Sequence, residues 1–399
     1  MADNQSKPSL LVITSTYPRW QGDTEPSFVH HLASRLTDRF DVVVSTSRAP
    51  GAKSTEIMDG VRVMRYRYAP ASWESLVYGG GLSANLKSTP WKLLLLPSYL
   101  LAWAWQAWQL RRELKFDVVH AHWFFPGALI AAISCKEIPY CITAHGTDVL
   151  GLKGFPWKYI RRFTARRALT ITAVGARVRD QLETEGISNV KLLPMGVDLQ
   201  KTFHPGFQLT RSMRAIYVGR LTSSKRPSVA VQAFSRVLHN MPELMLDVVG
   251  DGPELEELQQ LAEKLGIQSK LHFHGRKDQK DIAAMFRSAA VLICPSGGDD
   301  APEGLGLVAV EALACDCPVA SAPNVALQAV IPQAAPIHYA ADSCAEALSE
   351  AMLQALRHPD RTTGKTSQWR KNLLETFSWN HIAREYGNIL EDLTQSNRQ

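Results

Sequence analysis

The sequence predicts an α/β protein built from two doubly wound, mostly parallel sheets, each in its own domain. Three observations carry this. Short β-branched and apolar runs alternate with helical patterns through both halves of the chain. A stretch of weaker patterning, Val197–Arg211 with Pro205 and Gly206, divides the halves and reads as a linker. The chain has 399 residues, long for one domain, and its 45% hydrophobic content supplies two cores. No self-similarity with a period of about 20–50 residues competes with this reading. The expected domains are residues 1–200 and 201–377, with a helix over 378–399 at the end.

The strands follow in order. In the first half they are LLVIT (Leu10–Thr14), DVVVSTS (Asp41–Ser47), VRVMRY (Val61–Tyr66), DVVHAHW (Asp117–Trp123), YCITAHG (Tyr140–Gly146), LTITAV (Leu169–Val174) and VKLLPMG (Val190–Gly196). In the second they are RAIYVGR (Arg214–Arg220), LMLDVVG (Leu244–Gly250), LHFHG (Leu271–Gly275), VLICPS (Val291–Ser296) and PVASA (Pro318–Ala322). Such continuous apolar runs suit strands covered on both faces, as in parallel sheets.

Two helical segments stand apart. PWKLLLLPSYLLAWAWQAWQLRREL (Pro90–Leu114) approaches the length of a membrane span. Pro97 interrupts it, Gln106 and Gln109 dilute it, and a strand follows almost at once. A helix packed in the first domain and a surface helix touching lipid are the two readings that survive. Trp103, Trp105, Trp108, Arg111 and Arg112 are the mixture favoured at membrane interfaces. The last segment, TFSWNHIAREYGNILEDL, is an amphipathic helix capped at Ser378; its periodicity does not say where it docks.

Charge is uneven. The net value is +6. Residues 1–205 carry about 25 Lys and Arg against about 16 Asp and Glu, and the remainder about 19 against about 22. A basic first half fits anionic lipid or a phosphorylated partner as well as an ordinary solvated surface. Nucleic acid is not an expected partner. The cysteines Cys135, Cys141, Cys294, Cys315, Cys317 and Cys344 form no CxxC pair and read as buried thiols in a reducing compartment. The polar start MADNQSKP lacks the order of a signal peptide, so the expected location is cytoplasmic, with peripheral contact at the inner membrane face.

The chemistry concentrates after glycine turns at strand ends, where doubly wound sheets bind ligands. GGDDAPEGLGLVAVEALACDCPVA (Gly297–Ala320) carries Glu303 and Glu311 on either side of Gly-Leu-Gly, with a helix starting near Gly306. Backbone amides of Gly304, Leu305, Gly306 and Leu307 at that helix N-terminus would hold a phosphate. Glu311, a turn further on, suits paired hydroxyls such as those of a ribose, and Glu303 suits a sugar. A charge complementing the helix dipole and a solvated helix position are the plainer readings of the two glutamates. YVGRLTSSKRP (Tyr217–Pro227) is strand, turn and helix with Gly219, Arg220 and Lys225 at the turn, a place to meet developing negative charge. His120 and His122 are expected on opposite faces of their strand. His272 and His274 share a face with no evident third ligand, so no metal site is expected.

Taken jointly, these segments resemble the retaining nucleotide-sugar glycosyltransferases of the family-four group. EGLGLVAVEA resembles that family's E-x7-E signature, VGRLTSSKR its diphosphate segment, VVGDGPELEEL its V-G-x-G-P turn and HFHGR its base-side loop. TAHGTDV resembles its first-domain H-G-x-D turn and LPMGVD the start of its linker. The resemblance implies a GT-B fold, two Rossmann-like domains facing a central cleft, and a donor that is a nucleotide diphosphate-sugar with no further cofactor. By the same resemblance Arg220 and Lys225 bind the diphosphate, and Glu311 binds the ribose. Glu303 and the backbone from Gly304 to Leu307 hold the donor sugar and phosphates, and Arg276 flanks the base. His145 touches the reaction centre, and the helix around Trp379 crosses back onto the first domain. The acceptor is expected to be a lipid-linked or growing polysaccharide, as in lipopolysaccharide or exopolysaccharide synthesis.

One departure matters. Relatives often carry Gly-Gly after the first strand, whereas STYPRWQGDTEPSFVHHLASRL has Gly22 alone. That loop, with Arg19, Trp20, His30 and His31, reads as acceptor-facing or as a plain connection. Rival functions are a sugar-nucleotide epimerase or phosphorylase on the same fold, a nicotinamide oxidoreductase, and a non-catalytic sugar-nucleotide binder. The epimerases lack E-x7-E, the oxidoreductase needs a GxGxxG after a strand, and a non-catalytic binder would have lost His145 or Lys225.

Overall fold

The structure is a computed structural model that describes residues 7–23, 27–79, 81–206, 211–297, 305–331, 333–357 and 366–396. It divides into two units, residues 1–196 with 382–399, and residues 197–381.

In the first unit the strands are β1 (Ser9–Ile13), β2 (Asp41–Ser47), β3 (Thr55–Met58), β4 (Val61–Tyr66), β5 (Val118–His122), β6 (Tyr140–Ala144), β7 (Thr170–Ala173) and β8 (Val190–Leu192). The helices of this half are α1 (Phe28–Leu36), α2 (Leu82–Ser88), α3 (Leu96–Leu114), α4 (Leu129–Ser134), α5 (Phe155–Ala165) and α6 (Ala176–Thr184). Sheet order is β3-β4-β2-β1-β5-β6-β7-β8. All pairs are parallel except β3 with β4. The strand order reverses between β1 and β5, which puts the crevice for a ligand beside the loops that follow them.

The Trp-rich helix is settled by its spacing. Tyr99, Trp103, Ala107 and Leu110 recur three and four apart and are buried. Trp103 Nε1–H donates to Ser45 Oγ at 2.9 Å, and Ser45 Oγ donates to Gln106 Oε1 at 2.7 Å. Trp103 therefore belongs to the core and not to a lipid-facing set. Leu101 and Trp105 lie on the other side, 71% and 59% exposed. Among the described residues no helix is long and apolar enough to cross a membrane.

In the second unit the strands are β9 (Arg214–Val218), β10 (Met245–Val249), β11 (Leu271–Gly275), β12 (Val291–Cys294), β13 (Val319–Ser321) and β14 (Ile337–Tyr339), ordered β11-β10-β9-β12-β13-β14 and all parallel. The helices are α7 (Pro227–Val237), α8 (Leu255–Lys264), α9 (Gln279–Ser288), α10 (Leu307–Ala314), α11 (Val325–Gln328), α12 (Ala345–Arg357) and α13 (Thr366–Phe377), and the last helix, α14 (Trp379–Ser396), lies in the first unit from Ile382 onward. Strand alternation splits the core in two. Ile216 and Leu292 pack on one face with α10 and Trp369, and Ala215, Tyr217, Val291 and Ile293 on the other with α7 and α12. The segment expected as a linker begins inside this core: Val197, Leu199 and Phe203 are buried, and the Val197 N–H donates to Phe377 O at 2.7 Å.

Helix α14 starts where Ser378 Oγ accepts from the His381 N–H at 3.3 Å. Its later part is tied to the first unit. Arg39 donates to Glu391 Oε1 at 2.6 Å and to Asn388 Oδ1 at 3.0 Å, and Tyr386 meets Thr143 and Thr172 inside the sheet. Five cysteines are buried as expected; Cys344, just before α12, is exposed.

Candidate active site

In the second unit the strand order reverses between β9 and β12, so the loops leaving those two strands are neighbours. The first carries Gly219, Arg220 and Lys225, and the second leads to α10. Backbone bonds stitch the β9, β10 and β11 ends together. The Gly219 N–H donates to Val249 O at 3.0 Å, Leu221 N–H to Asp251 O at 3.0 Å, and Gly250 N–H to Gly275 O at 2.8 Å. A Cβ at Gly250 would stand 1.8 Å from Gly219 O, and one at Gly252 would stand 2.3 Å from Leu221 O. The V-G-D-G-P turn is glycine-bearing because two backbones touch there. Arg220 is exposed at the rim, and Lys225 is half-buried at the end of a 3-10 turn. Arg276, after β11, lies 3.6 Å from Asp251, both exposed.

Helix α10 begins at Gly306, which is left-handed (φ 82°, ψ 54°), with Leu307 its first helical residue. Its opening N–H groups have no partner within the helix. Leu305 is buried and its carbonyl accepts from Asn324 Nδ2 at 3.4 Å, so its side chain serves the core while its backbone shapes the turn. Glu303 and Gly304 lie outside the described residues. Glu311 is half-buried, its carboxyl has no partner among the described residues, and burial pushes its pKa up to about 8. A carboxyl kept in apolar surroundings without a cation or donor is poised for an external hydroxyl.

In the first unit the loops after β1, β5 and β6 converge on His145. Its ring centroid lies 5.1 Å from that of Phe28, which opens α1, and 4.4 Å from that of Trp123. Trp123 adopts a left-handed backbone (φ 64°), uncommon for a bulky residue. The chain then doubles back so closely that a Cβ at Gly127 would stand 2.1 Å from His122 O. Asp148 is buried and accepts from the N–H groups of Phe124 (2.8 Å), Gly146 (3.1 Å) and His145 (3.2 Å). Burial pushes its carboxyl up, to about 6, against those hydrogen bonds. Asp148 thus ties the β5 and β6 loops together.

Sequence reasoning missed His122. Residues two apart in a strand share a face, and the expected opposite-face arrangement of His120 and His122 is overturned: their ring centroids are 4.2 Å apart. His122 Nδ1 lies 2.9 Å from His145 Nε2, and His120 Nε2 lies 2.8 Å from Thr143 Oγ1. Burial drives all three imidazoles toward the neutral form, His120 and His145 down to about 3. His274 has the carboxylate that sequence did not reveal, Asp247 at 2.7 Å, which also pairs with Arg214. Among the described residues no group of three or more His, Cys, Asp or Glu could hold a metal ion. In the loop after β1, both ring nitrogens of His30 are bonded, to Tyr17 at 2.7 Å and Asp59 at 2.9 Å, and Arg19 is paired with Asp23.

Two α/β units, each with a mostly or wholly parallel sheet, are the architecture of the GT-B class of glycosyltransferase folds. The profile described as Glycosyltransferase Family 4 matches residues 27–201, and that described as Glycosyl transferases group 1 matches residues 204–373. The chain belongs to this glycosyltransferase family. It is 25% identical to glycogen synthase of Mycobacterium tuberculosis over 416 residues, covering 98% of this chain and 96% of the relative. It is 28% identical to the D-inositol 3-phosphate glycosyltransferase of Corynebacterium jeikeium, covering 73% of each. Among solved structures, sucrose-phosphate synthase of Thermosynechococcus elongatus matches with a TM-score of 0.76 at 18% identity, covering 98% of this chain and 100% of that one. Anabaena Alr3699/HepE in complex with UDP and glucose matches with a TM-score of 0.72 at 14% identity, covering 96% and 99%.

Proposed function

We propose that this glycosyltransferase moves a sugar, with retention of anomeric configuration and without a metal, from a nucleotide diphosphate-sugar to a glycan or glycolipid acceptor in cell-surface glycan synthesis. The observation that carries the donor reading is Glu311. It is a half-buried carboxyl with no partner among the described residues, on the helix that starts at the switch point, beside the loop bearing Arg220 and Lys225. Glu311 takes the ribose hydroxyls, and the α10 N-terminus with Gly306 and Leu307 takes phosphate oxygens. Arg220 and Lys225 neutralise the diphosphate, and Arg276 flanks the base. Glu303 and Gly304 are assigned to the donor sugar and phosphates by the family resemblance alone. UDP and glucose bound to the Anabaena neighbour support a sugar-nucleotide ligand for this fold.

The retaining step is front-face attack through an oxocarbenium-like state. The bond from the anomeric carbon to the diphosphate oxygen breaks, and the acceptor oxygen bonds on the same face. The departing diphosphate takes the acceptor's proton. Asp148, the nearest carboxylate in the first-domain motif, is committed to three backbone donors and is unsuited to a nucleophile's role. Charge on the leaving group is met by Arg220, Lys225 and α10, and this supplies what a metal would otherwise supply. Incubation with a panel of nucleotide sugars is expected to release nucleoside diphosphate from one of them, unaffected by chelator. NMR of the transfer product should show the donor's anomeric configuration; an inverted product would overturn the retaining assignment.

The acceptor reading rests on the outer face of α3 and its neighbours. Leu94, Leu101 and Trp105 are exposed, and Trp73 and Trp91 meet edge-on at 5.7 Å. Arg112 lies 4.7 Å over Trp108, whose ring stacks on Trp105 at 5.0 Å. Exposed aromatic, aliphatic and cationic groups on this helix and the segment before it suit an anionic lipid surface. The protein is therefore expected to cosediment with vesicles containing anionic lipid at low salt and to leave them at high salt. Replacing Leu94, Leu101 and Trp105 together with serine should abolish this, and wild-type protein that stays in the supernatant at low salt would remove the lipid contact.

A further inference from the structure

The hydrogen bond between His122 and His145 has a direction, and the surrounding atoms decide it. The ring centroids are 5.2 Å apart, close to the 2.9 Å contact plus the two ring radii, so the nitrogens face each other along the line between the rings. The other nitrogen of His122, Nε2, is buried with no partner among the described residues. A neutral imidazole carries one proton. Were it on Nε2 of His122, a buried N–H would have no acceptor, the costlier kind of orphan. With the proton on Nδ1, only an acceptor lone pair is left bare. His120 repeats the pattern: its buried Nδ1 has no partner and its Nε2 faces Thr143 Oγ1, which itself donates to Tyr386 Oη at 3.2 Å. His120 and His122 thus each spend their proton on the one partner they have.

We infer that His122 is a positioning residue: its Nδ1–H donates to His145 Nε2 and fixes His145 in the tautomer whose free proton is on Nδ1. His145 then offers a ligand a hydrogen-bond donor and not a base. Phe28 and Trp123 pack against the ring, their planes tilted 45° and 36° to it, and no described residue takes its Nδ1–H. The matching ligand group is an oxygen lone pair, a sugar hydroxyl or a phosphoryl oxygen. The inference rests on the reading above that His145 faces the transferred sugar, but the tautomer itself can be measured without turnover.

Nitrogen-15 labelling of the histidines, with long-range proton–nitrogen correlation at neutral pH, reports which nitrogen of each ring is protonated. The expected result is Nδ1–H for both His122 and His145. Nε2–H on His145 in the wild-type protein would overturn the inference whether or not any sugar is transferred. The His122→Asn variant keeps an N–H near the position of Nδ1, and should retain the His145 tautomer and kcat within about threefold. In His122→Leu, His145 should lose its preference and kcat should fall by about tenfold or more, with nucleoside diphosphate affinity unchanged. Equal loss in both variants, with the His145 tautomer unmoved, would mean that His122 acts only by packing. If His122→Leu does not fold, the wild-type spectrum and His122→Asn still decide.

Discussion

Alanine at Lys225 is expected to lower turnover roughly a hundred- to thousandfold, the usual cost of about 2.7–4 kcal/mol for removing one group that stabilises transition-state charge, while leaving the melting temperature almost unchanged. The two effects separate because of where the residue sits. Lys225 ends a 3-10 turn between β9 and α7, half-buried at the rim. The apolar residues of that segment, Leu221 and Pro227, fill the core instead. Removing a rim side chain outside the core changes stability by less than about 0.5 kcal/mol. The diphosphate, by contrast, gains charge as the sugar leaves, so a fixed ammonium nearby acts more strongly on the transition state than on the bound donor. The signature is a fall in kcat larger than the rise in KM. Chelator should do little to either enzyme. Near-normal turnover in a folded Lys225→Ala protein would remove Lys225 from the leaving-group role.

Much of the architecture could be read from the chain because parallel strands covered on both faces announce themselves as unbroken apolar runs. The two strands that were missed lack that signal. β3 is the exposed edge partner in a hairpin, TEIM, with only Met58 buried. Its turn, Asp59-Gly60, has both residues at positive φ (45° and 81°), and that Asp-Gly pair was the legible clue. β14 is three residues long. The buried face of α3 was likewise present in the spacing of Tyr99, Trp103 and Leu110, hidden because tryptophans occur on both faces. Around the candidate site, glycine turns were legible wherever two backbones touch, as at Gly250 and Gly252, because no other residue fits there. The contact between His122 and His145 was not, since it depends on β5 pairing with β6 in a register that sets His122 opposite Thr143. No local pattern encodes that pairing.

Replacing Glu311 by glutamine should stabilise the free protein and weaken its hold on nucleotide, and the two effects have one cause. Burial raises the Glu311 carboxyl from an ordinary 4.5 to about 8. Between those values the folded chain keeps a proton that the unfolded chain has released. The carboxyl's contribution to stability is therefore fully present below about pH 4.5 and is lost as pH rises toward and through about 8. Glutamine stays neutral throughout, so the variant should match wild type in mild acid and melt at a higher temperature at pH 8–9. A ribose changes the balance, because two hydroxyls donating to the ionised carboxylate favour the charged form. Wild-type affinity for a nucleoside diphosphate should accordingly increase between about pH 6.5 and 8.5, with proton release on binding. Calorimetry in two buffers of different ionisation enthalpy measures that release. The glutamine variant should release none through this group and should bind roughly ten- to hundredfold more weakly, the loss of a charged hydrogen bond of about 1.5–3 kcal/mol. Such a trade, stability given up for a site that only a ligand completes, is what separates a binding carboxylate from one that merely caps a helix. A folded Glu311→Gln protein with unchanged affinity and unchanged proton release would place the ribose elsewhere.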